Sequence, residues 1–192
     1  LYTLRRMRII DKASVKFQMN AFKLVTYCFW LIGEILKSNI AVAKTILNPK
    51  IKKVDADKIR PLRHLELLKG EDFSTTFYLR DNDYETFHMA CFIDQKIVAC
   101  ATFYPEISEK SSFGIQYRLR GMATNYAFQR KGYATLLMRE SIKELKKRDC
   151  DMLWCNARLV AVDFYKSIGF KITGELFDIE GIGPHYYMYK EI

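Results

Sequence analysis

This 192-residue chain lacks the uninterrupted apolar run of about 20 residues that a membrane-spanning helix takes. Its apolar stretch Leu24–Gly33 has ten residues and lies between Lys23 and Glu34, which argues against a lone transmembrane helix. It also lacks any C-x-x-C pair. The five cysteines (28, 91, 100, 150 and 155) are odd in number, and four sit inside apolar runs. That pattern favours reduced, buried thiols of a cytoplasmic protein over disulfides or zinc, and no metal site is expected. Neither G-x-x-x-x-G-K-[ST] nor G-x-G-x-x-G occurs, so the chain carries no Walker A loop and no dinucleotide fingerprint. Internal repeats and low-complexity tracts are absent too. Positive charge is abundant, at net +9, but unevenly placed. Residues 1–50 hold nine Lys and Arg against two Asp and Glu, whereas residues 51–192 hold 22 against 20. The basic excess therefore belongs to the first fifty residues, which carry no recognition motif for nucleic acid, and no nucleic-acid partner is expected.

What is present suits one domain with an appendage. Hydrophobic residues make up 49% and charged residues 28%, enough to build a core. The chain opens on Leu1, which reads as the start of a fragment, with Met7 as a candidate native start. A break falls near Asn48-Pro49-Lys50, dividing a basic, partly apolar helical extension (1–50) from a domain over 51–192. Between 31 and 47, Leu31, Ile32, Ile35, Leu36, Ile40, Val42, Ala43, Ile46 and Leu47 keep helical spacing, with Lys37 and Lys44 on the other side. Such a helix suits a membrane surface, a partner, or its own domain.

Beyond the break the elements alternate. The pattern predicts a helix over 55–70, with Asp55 or Asp57 as N-cap, Gly70 as its stop and Pro61 as a kink or late start. It predicts a loop over 71–84, then strands 85–93 and 96–104 joined at Asp94-Gln95 as a hairpin. Strand 115–124 follows, interrupted by Gly121 as a bulge or close approach. Helix 133–148, strand 151–156, helix 161–169 and strands 170–177 and 185–192 complete an α/β (α+β) order, a mixed sheet flanked by helices.

The stretch Gln129-Arg130-Lys131-Gly132-Tyr133-Ala134 stands where strand 115–124 hands over to a helix. Amides without intrahelical partners, the positive end of the helix dipole, a permissive glycine and two cations form the recipe for a phosphate site. Such a loop is also a common surface turn. Strands 115–124 and 151–156, each followed by a helix, are expected to be parallel neighbours. A ligand at their carboxyl ends would meet the N-terminus of the first helix and the side chains of the second, including Phe164 and Tyr165.

These residues carry a resemblance. Residues 117–190 resemble the GNAT superfamily of acetyl-CoA-dependent N-acetyltransferases: "QRKGYA" is similar to the family's Q/R-x-x-G-x-G/A loop, with Ala134 at the commoner second glycine. The islands "IRPLRH", "LRGMAT", "LWCNAR" and "GIGPHYYM" resemble one bacterial subgroup of uncharacterised members. Separately, residues 30–50 resemble a membrane-proximal segment of the E component of multisubunit sodium/proton antiporters, which implies a fused remnant peripheral at a membrane. The GNAT resemblance implies a splayed sheet and acetyl-CoA as co-substrate. It implies main-chain pairing of the pantetheine arm with Met122, Ala123 and Thr124, and a pyrophosphate site on Gln129, Arg130, Lys131, Gly132, Tyr133, Ala134 and Thr135. It further implies a cofactor contact from Asn156 and a thiolate-protonating role for Tyr165. The acceptor would be an amine of a small molecule or peptide, and the protein a monomer or homodimer. Strand 115–124 holds no Asp or Glu, which excludes a carboxylate base on it. Glu175, Asp178, Glu180, His185 or a water chain are the base candidates, His185 the foremost; His64 and His88 have weaker cases. A binding module that senses acetyl-CoA without catalysis stays open beside the enzyme.

Overall fold

The computed structural model describes residues 26–38, 48–112 and 114–192. The chain forms two compact units, Leu1–Asn48 and Pro49–Ile192. Of the first unit, residues 26–38 are helical, with Lys37 paired to Glu34 at 2.9 Å. Tyr27, Phe29, Trp30, Leu31, Ile32, Ile35 and Leu36 are exposed there. The rest of the expected amphipathic pattern, 39–47, lies outside the described residues, as does part of the antiporter-like stretch. Among the described residues no helix is long and apolar enough to cross a membrane.

The second unit is built on one eight-stranded sheet. Its strands are β1 (Lys50–Val54), β2 (Phe87–Ile93), β3 (Lys96–Pro105), β4 (Gln116–Thr124), β5 (Met152–Arg158), β6 (Lys171–Ile172), β7 (Phe177–Ile179) and β8 (Gly183–Glu191). The spatial order is β1-β2-β3-β4-β5-β8-β6, with β7 paired to β8. All pairings are antiparallel except β4 with β5. Helix α1 (Ala56–Leu67) covers one face; α2 (Tyr133–Lys146) and α3 (Val162–Ser167) cover the other. Strand alternation assigns the faces. Phe87, Met89 and Cys91 of β2 join Leu137, Met138 and Leu145 of α2 in the main core, while Ala90 joins Ile59 and Leu62 of α1. Leu137, Met138, Ser141 and Leu145 form the buried stripe of α2.

The β2–β3 hairpin turns at Asp94 (φ 45°) and Gln95 (φ 66°), two left-handed residues in succession, as a type I′ connection requires. Strand β1 is an element the sequence pattern does not reveal. With three lysines in five residues it is a short, charged edge strand, a form that resists pairing with other chains. The expected strand 170–177 is interrupted. Gly174 (φ 77°) turns the chain between β6 and β7, and β8 starts earlier than the aromatic run suggests, at Gly183. Helix α3 is shorter than expected, entered through a 3-10 turn at Leu159–Ala161. Pro61 is accommodated inside α1.

The feature that matters for function is where β4 and β5 stop pairing. They are in register at Gln116/Met152, Tyr117/Leu153 and Arg118/Trp154, and then they part. Three residues on, β4 carries an extra residue against β3: Arg120 faces Thr102 and Ala123 faces Cys100, so Gly121 and Met122 share the place opposite Ala101. A bulge bends and twists its strand. Gly121 is required here twice over: its φ is +58°, and a Cβ would lie 2.8 Å from Arg63 Nε and 3.0 Å from Tyr78 Cε2.

Candidate active site

The loop after β4 is tied down by its own side chains. Gln129 Nε2 donates to Thr124 O at 3.1 Å, and Lys131 Nζ donates to Ala127 O at 2.8 Å while lying 5.4 Å from the Phe128 ring. Lys131 is thus folded back on the loop. Arg130 (φ 58°) and Gly132 (φ 82°) take left-handed conformations on either side of it. The first bond of α2 runs from Leu136 N to Gly132 O. Among the described residues, the amides of Arg130 to Thr135 have no acceptor. A Cβ at Gly132 would meet nothing within 4 Å, so open space lies before these amides. That arrangement fits a phosphate-bearing group, with the positive end of the α2 dipole behind it.

Beyond Arg118, β4 has no strand on its β5 side, and a cavity of about 430 Å³ occupies the wedge. Met122, Asn156, Tyr165 and His185 all line it. Ala123 is buried against α1, and Thr124 ends the strand. Asn156 is half-buried, opposite Tyr187 of β8, and also lines an adjoining cavity beside Trp154.

Tyr165 is 5% exposed, its ring wedged between Phe164 and Phe170 with both centroids 5.2 Å away. Burial pushes its phenol well above the ordinary value of 10, and the neighbouring Cys155 adds to the rise. Its hydroxyl has no hydrogen-bond partner among the described residues, so the proton is held and uncommitted. His185 is buried, its Nδ1 2.7 Å from Gly183 O and its ring parallel to Phe177. A carbonyl can only accept, so Nδ1 carries the hydrogen and Nε2 keeps its lone pair.

Other candidates fall elsewhere. Glu175, Asp178 and Glu180 are exposed and do not line the cavity. His64 Nε2 contacts Glu71 O at 2.8 Å and the ring meets Phe73 edge-on. His88 has partners that its strand pattern hides: Thr102 Oγ1 at 2.8 Å and Asp81 O at 3.0 Å. Burial holds its imidazole below the ordinary 6.5. It belongs to a buried network in which Asp81 takes Arg63 at 2.6 and 2.9 Å and Arg63 also donates to Thr102. The Arg63 guanidinium lies 4.2 Å from the Tyr78 ring, which Arg120 approaches on its own account at 4.4 Å. Buried thiols stay inert: burial raises Cys91 and Cys150 to about 11 and Cys100 to about 12.

The two diverging strands are joined again by α1. Glu66 Oε1 accepts from Tyr126 N, just past β4, at 3.0 Å; Arg158 Nη2, at the end of β5, donates to Leu67 O at 3.0 Å. Sequence reading does not single out Glu66, Arg118, Arg120 or Arg158, all of which line the cavity. Polar residues on a strand face otherwise apolar, such as Arg118 and Arg120, were the available signal.

A family model described as the acetyltransferase (GNAT) family matches residues 56–170, which run from the start of α1 to the end of α3 and include the loop and the wedge. The chain belongs to the GNAT family. Among curated relatives, the uncharacterized N-acetyltransferase YitI of Bacillus subtilis is 30% identical over 143 residues, covering 74% of this chain and 96% of that protein. A GNAT family acetyltransferase of Elizabethkingia anophelis, solved with acetyl-CoA bound, is similar in fold at TM-score 0.55 and 19% identity, covering 76% of this chain and 99% of its own. An aminoglycoside 6'-N-acetyltransferase complexed with coenzyme A aligns at TM-score 0.59 and 14% identity, over 74% of this chain and 96% of its own. The splayed β4 and β5 are the GNAT sheet, and every match spans the second unit's length of chain.

Proposed function

We propose that this protein transfers an acetyl group from acetyl-CoA to a primary amine of a small molecule or peptide by direct attack. One observation carries the reading: the wedge between β4 and β5 brings Met122, Asn156, Tyr165 and His185 to one cavity, beside a loop whose amides lack acceptors. Acetyl-CoA supplies a thioester whose C–S bond breaks as the acceptor nitrogen forms its C–N bond. The amides of Arg130 to Thr135 hold its pyrophosphate, and the unpaired edge at Met122, Ala123 and Thr124 receives its pantetheine arm like an added strand. Asn156 orients that arm. Tyr165, kept protonated by burial, gives its proton to the departing sulfur. His185 Nε2 takes the proton that the nitrogen sheds, its tautomer fixed by Gly183 O. The names of the neighbours support this reading, since two were solved with acetyl-CoA or coenzyme A.

Isothermal titration with acetyl-CoA, followed by CoA release with a panel of primary amines, tests the proposal. Saturable binding and amine-dependent release are expected. Failure to bind acetyl-CoA overturns it. Binding without release for any amine identifies a sensor instead.

A further inference from the structure

Three arginines line the cavity against a single glutamate: Arg118, Arg120 and Arg158 against Glu66. Their partners differ. Arg118 Nη1 lies 2.6 Å from Glu106 and its plane meets Trp154 at 4.6 Å, but its Nε is buried without a hydrogen-bond partner. Arg120 is exposed to the cavity and rests on the Tyr78 ring, with no carboxylate partner among the described residues. Arg158 donates one bond, to Leu67 O, and likewise has no carboxylate partner among them. Glu66 accepts from the Tyr126 amide. The lining is therefore a site with cationic donors to spare.

Position separates these donors from the coenzyme's phosphates. Arg120 precedes Thr124 by four residues, about 13 Å of strand, and the amide loop lies further on. Arg158 stands opposite His185 in register, beside the group placed to take the acceptor's proton. Arg120 and Arg158 thus flank the wedge from its two strands, at the end where the acceptor enters. An unpaired guanidinium is the side chain best matched to a carboxylate, through two parallel hydrogen bonds.

We infer that the acceptor is a primary amine that also carries a carboxylate, held by Arg120 and Arg158. This rests on the acetyltransferase reading above and names its substrate class. A carboxylate compensates the cationic lining, and the remaining positive potential favours the neutral, nucleophilic form of the nearby amine. A polyamine would instead bring further ammonium groups against unpaired guanidiniums.

The test uses the full chain with acetyl-CoA. α-, β- and γ-amino acids are each compared with their own carboxamides, with spermidine as the polycationic arm, and CoA release gives kcat/KM. At least one carboxylate form is expected to exceed its carboxamide by about tenfold or more, the span of one to two charged hydrogen bonds. Arg120→Gln, at an exposed position, is expected to erase that preference through KM while leaving acetyl-CoA affinity in titration unchanged; Arg158→Gln should weaken it likewise. Carboxamides or spermidine turned over as well as the acids, or a preference intact in Arg120→Gln, overturns the inference. Acetyl-CoA binding with release for other amines but no carboxylate amine also overturns it and leaves the acetyltransferase reading standing. Loss of acetyl-CoA binding in the unaltered chain defeats both.

Discussion

Substituting Gly132 by alanine and by aspartate separates the loop's part in folding from its part in binding. Gly132 sits at φ 82°, where an L-residue costs about 1–2 kcal/mol, and a Cβ there meets nothing within 4 Å. Gly132→Ala should therefore lower the melting temperature by only about 3–8 °C in a domain of this size. Aspartate tolerates the left-handed region better than alanine, and its charge suits a helix N-terminus by about 0.3–1 kcal/mol. Gly132→Asp should thus be at least as stable as Gly132→Ala. Binding should order them the opposite way. A carboxylate about 4 Å from a pyrophosphate oxygen opposes it by about 4 kcal/mol at an effective dielectric of 20, roughly a thousandfold in affinity. The alanine methyl only narrows the approach. Thermal unfolding and titration with acetyl-CoA on the same preparations give both orders. If Gly132→Asp binds acetyl-CoA as tightly as Gly132→Ala, the amide loop is not the anion site.

Tyr165→Phe should lower kcat by about 10²-fold or more with acetyl-CoA affinity nearly unchanged, measured by steady-state kinetics and titration; full activity would remove the phenol from the mechanism. Because burial raises the folded pKa of Tyr165 above its unfolded value near 10, the stability it contributes is intact below pH 10 and is lost as pH rises through the higher folded value. Alkaline melting curves should accordingly fall less steeply in the phenylalanine variant. His88 has the opposite sign: its folded pKa lies below 6.5, so its contribution is present above pH 6.5 and is lost as pH falls towards the folded value. His88→Asn should flatten that acid limb in melting curves taken between pH 7 and 5. Asp81→Ala leaves Arg63 buried without its carboxylate and should cost about 3–5 kcal/mol in urea unfolding. Removing residues 1–48 should leave acetyl-CoA affinity unchanged in titration, since Pro49–Ile192 is a compact unit by itself.

Features encoded within a few residues were readable from the chain alone. Asp94-Gln95 marked the hairpin, Gly121 marked the bulge, and the glycine of "QRKGYA" marked the helix entry, each because a turn or a positive φ constrains residue type locally. The parallel pairing of β4 and β5 followed from two strand–helix units in succession. What stayed hidden depends on partners far along the chain. Arg63 meets Asp81 and Thr102 across 18 and 39 residues, and nothing periodic joins them. His88 looked unpartnered on its strand for the same reason. Strand β1 escaped because "KIKKV" offers two apolar residues at the wrong spacing for a strand face, and edge position makes up for that through pairing with β2. Met122, Asn156, Tyr165 and His185 were placed by motif, yet the arginines around them were not, since a guanidinium on a strand reads as solvent-facing until a cavity is seen beside it.

The two bonds at the end of α1 give that helix a mechanical part in the site. Glu66 grips the chain leaving β4 and Leu67 grips Arg158 of β5, so consecutive residues of one helical turn act as a crossbar over the gap. The gape of the wedge is then a property of α1, not of the strands that form its walls. Coenzyme slot and acceptor mouth share this one brace, and a single lesion in it would loosen both at once.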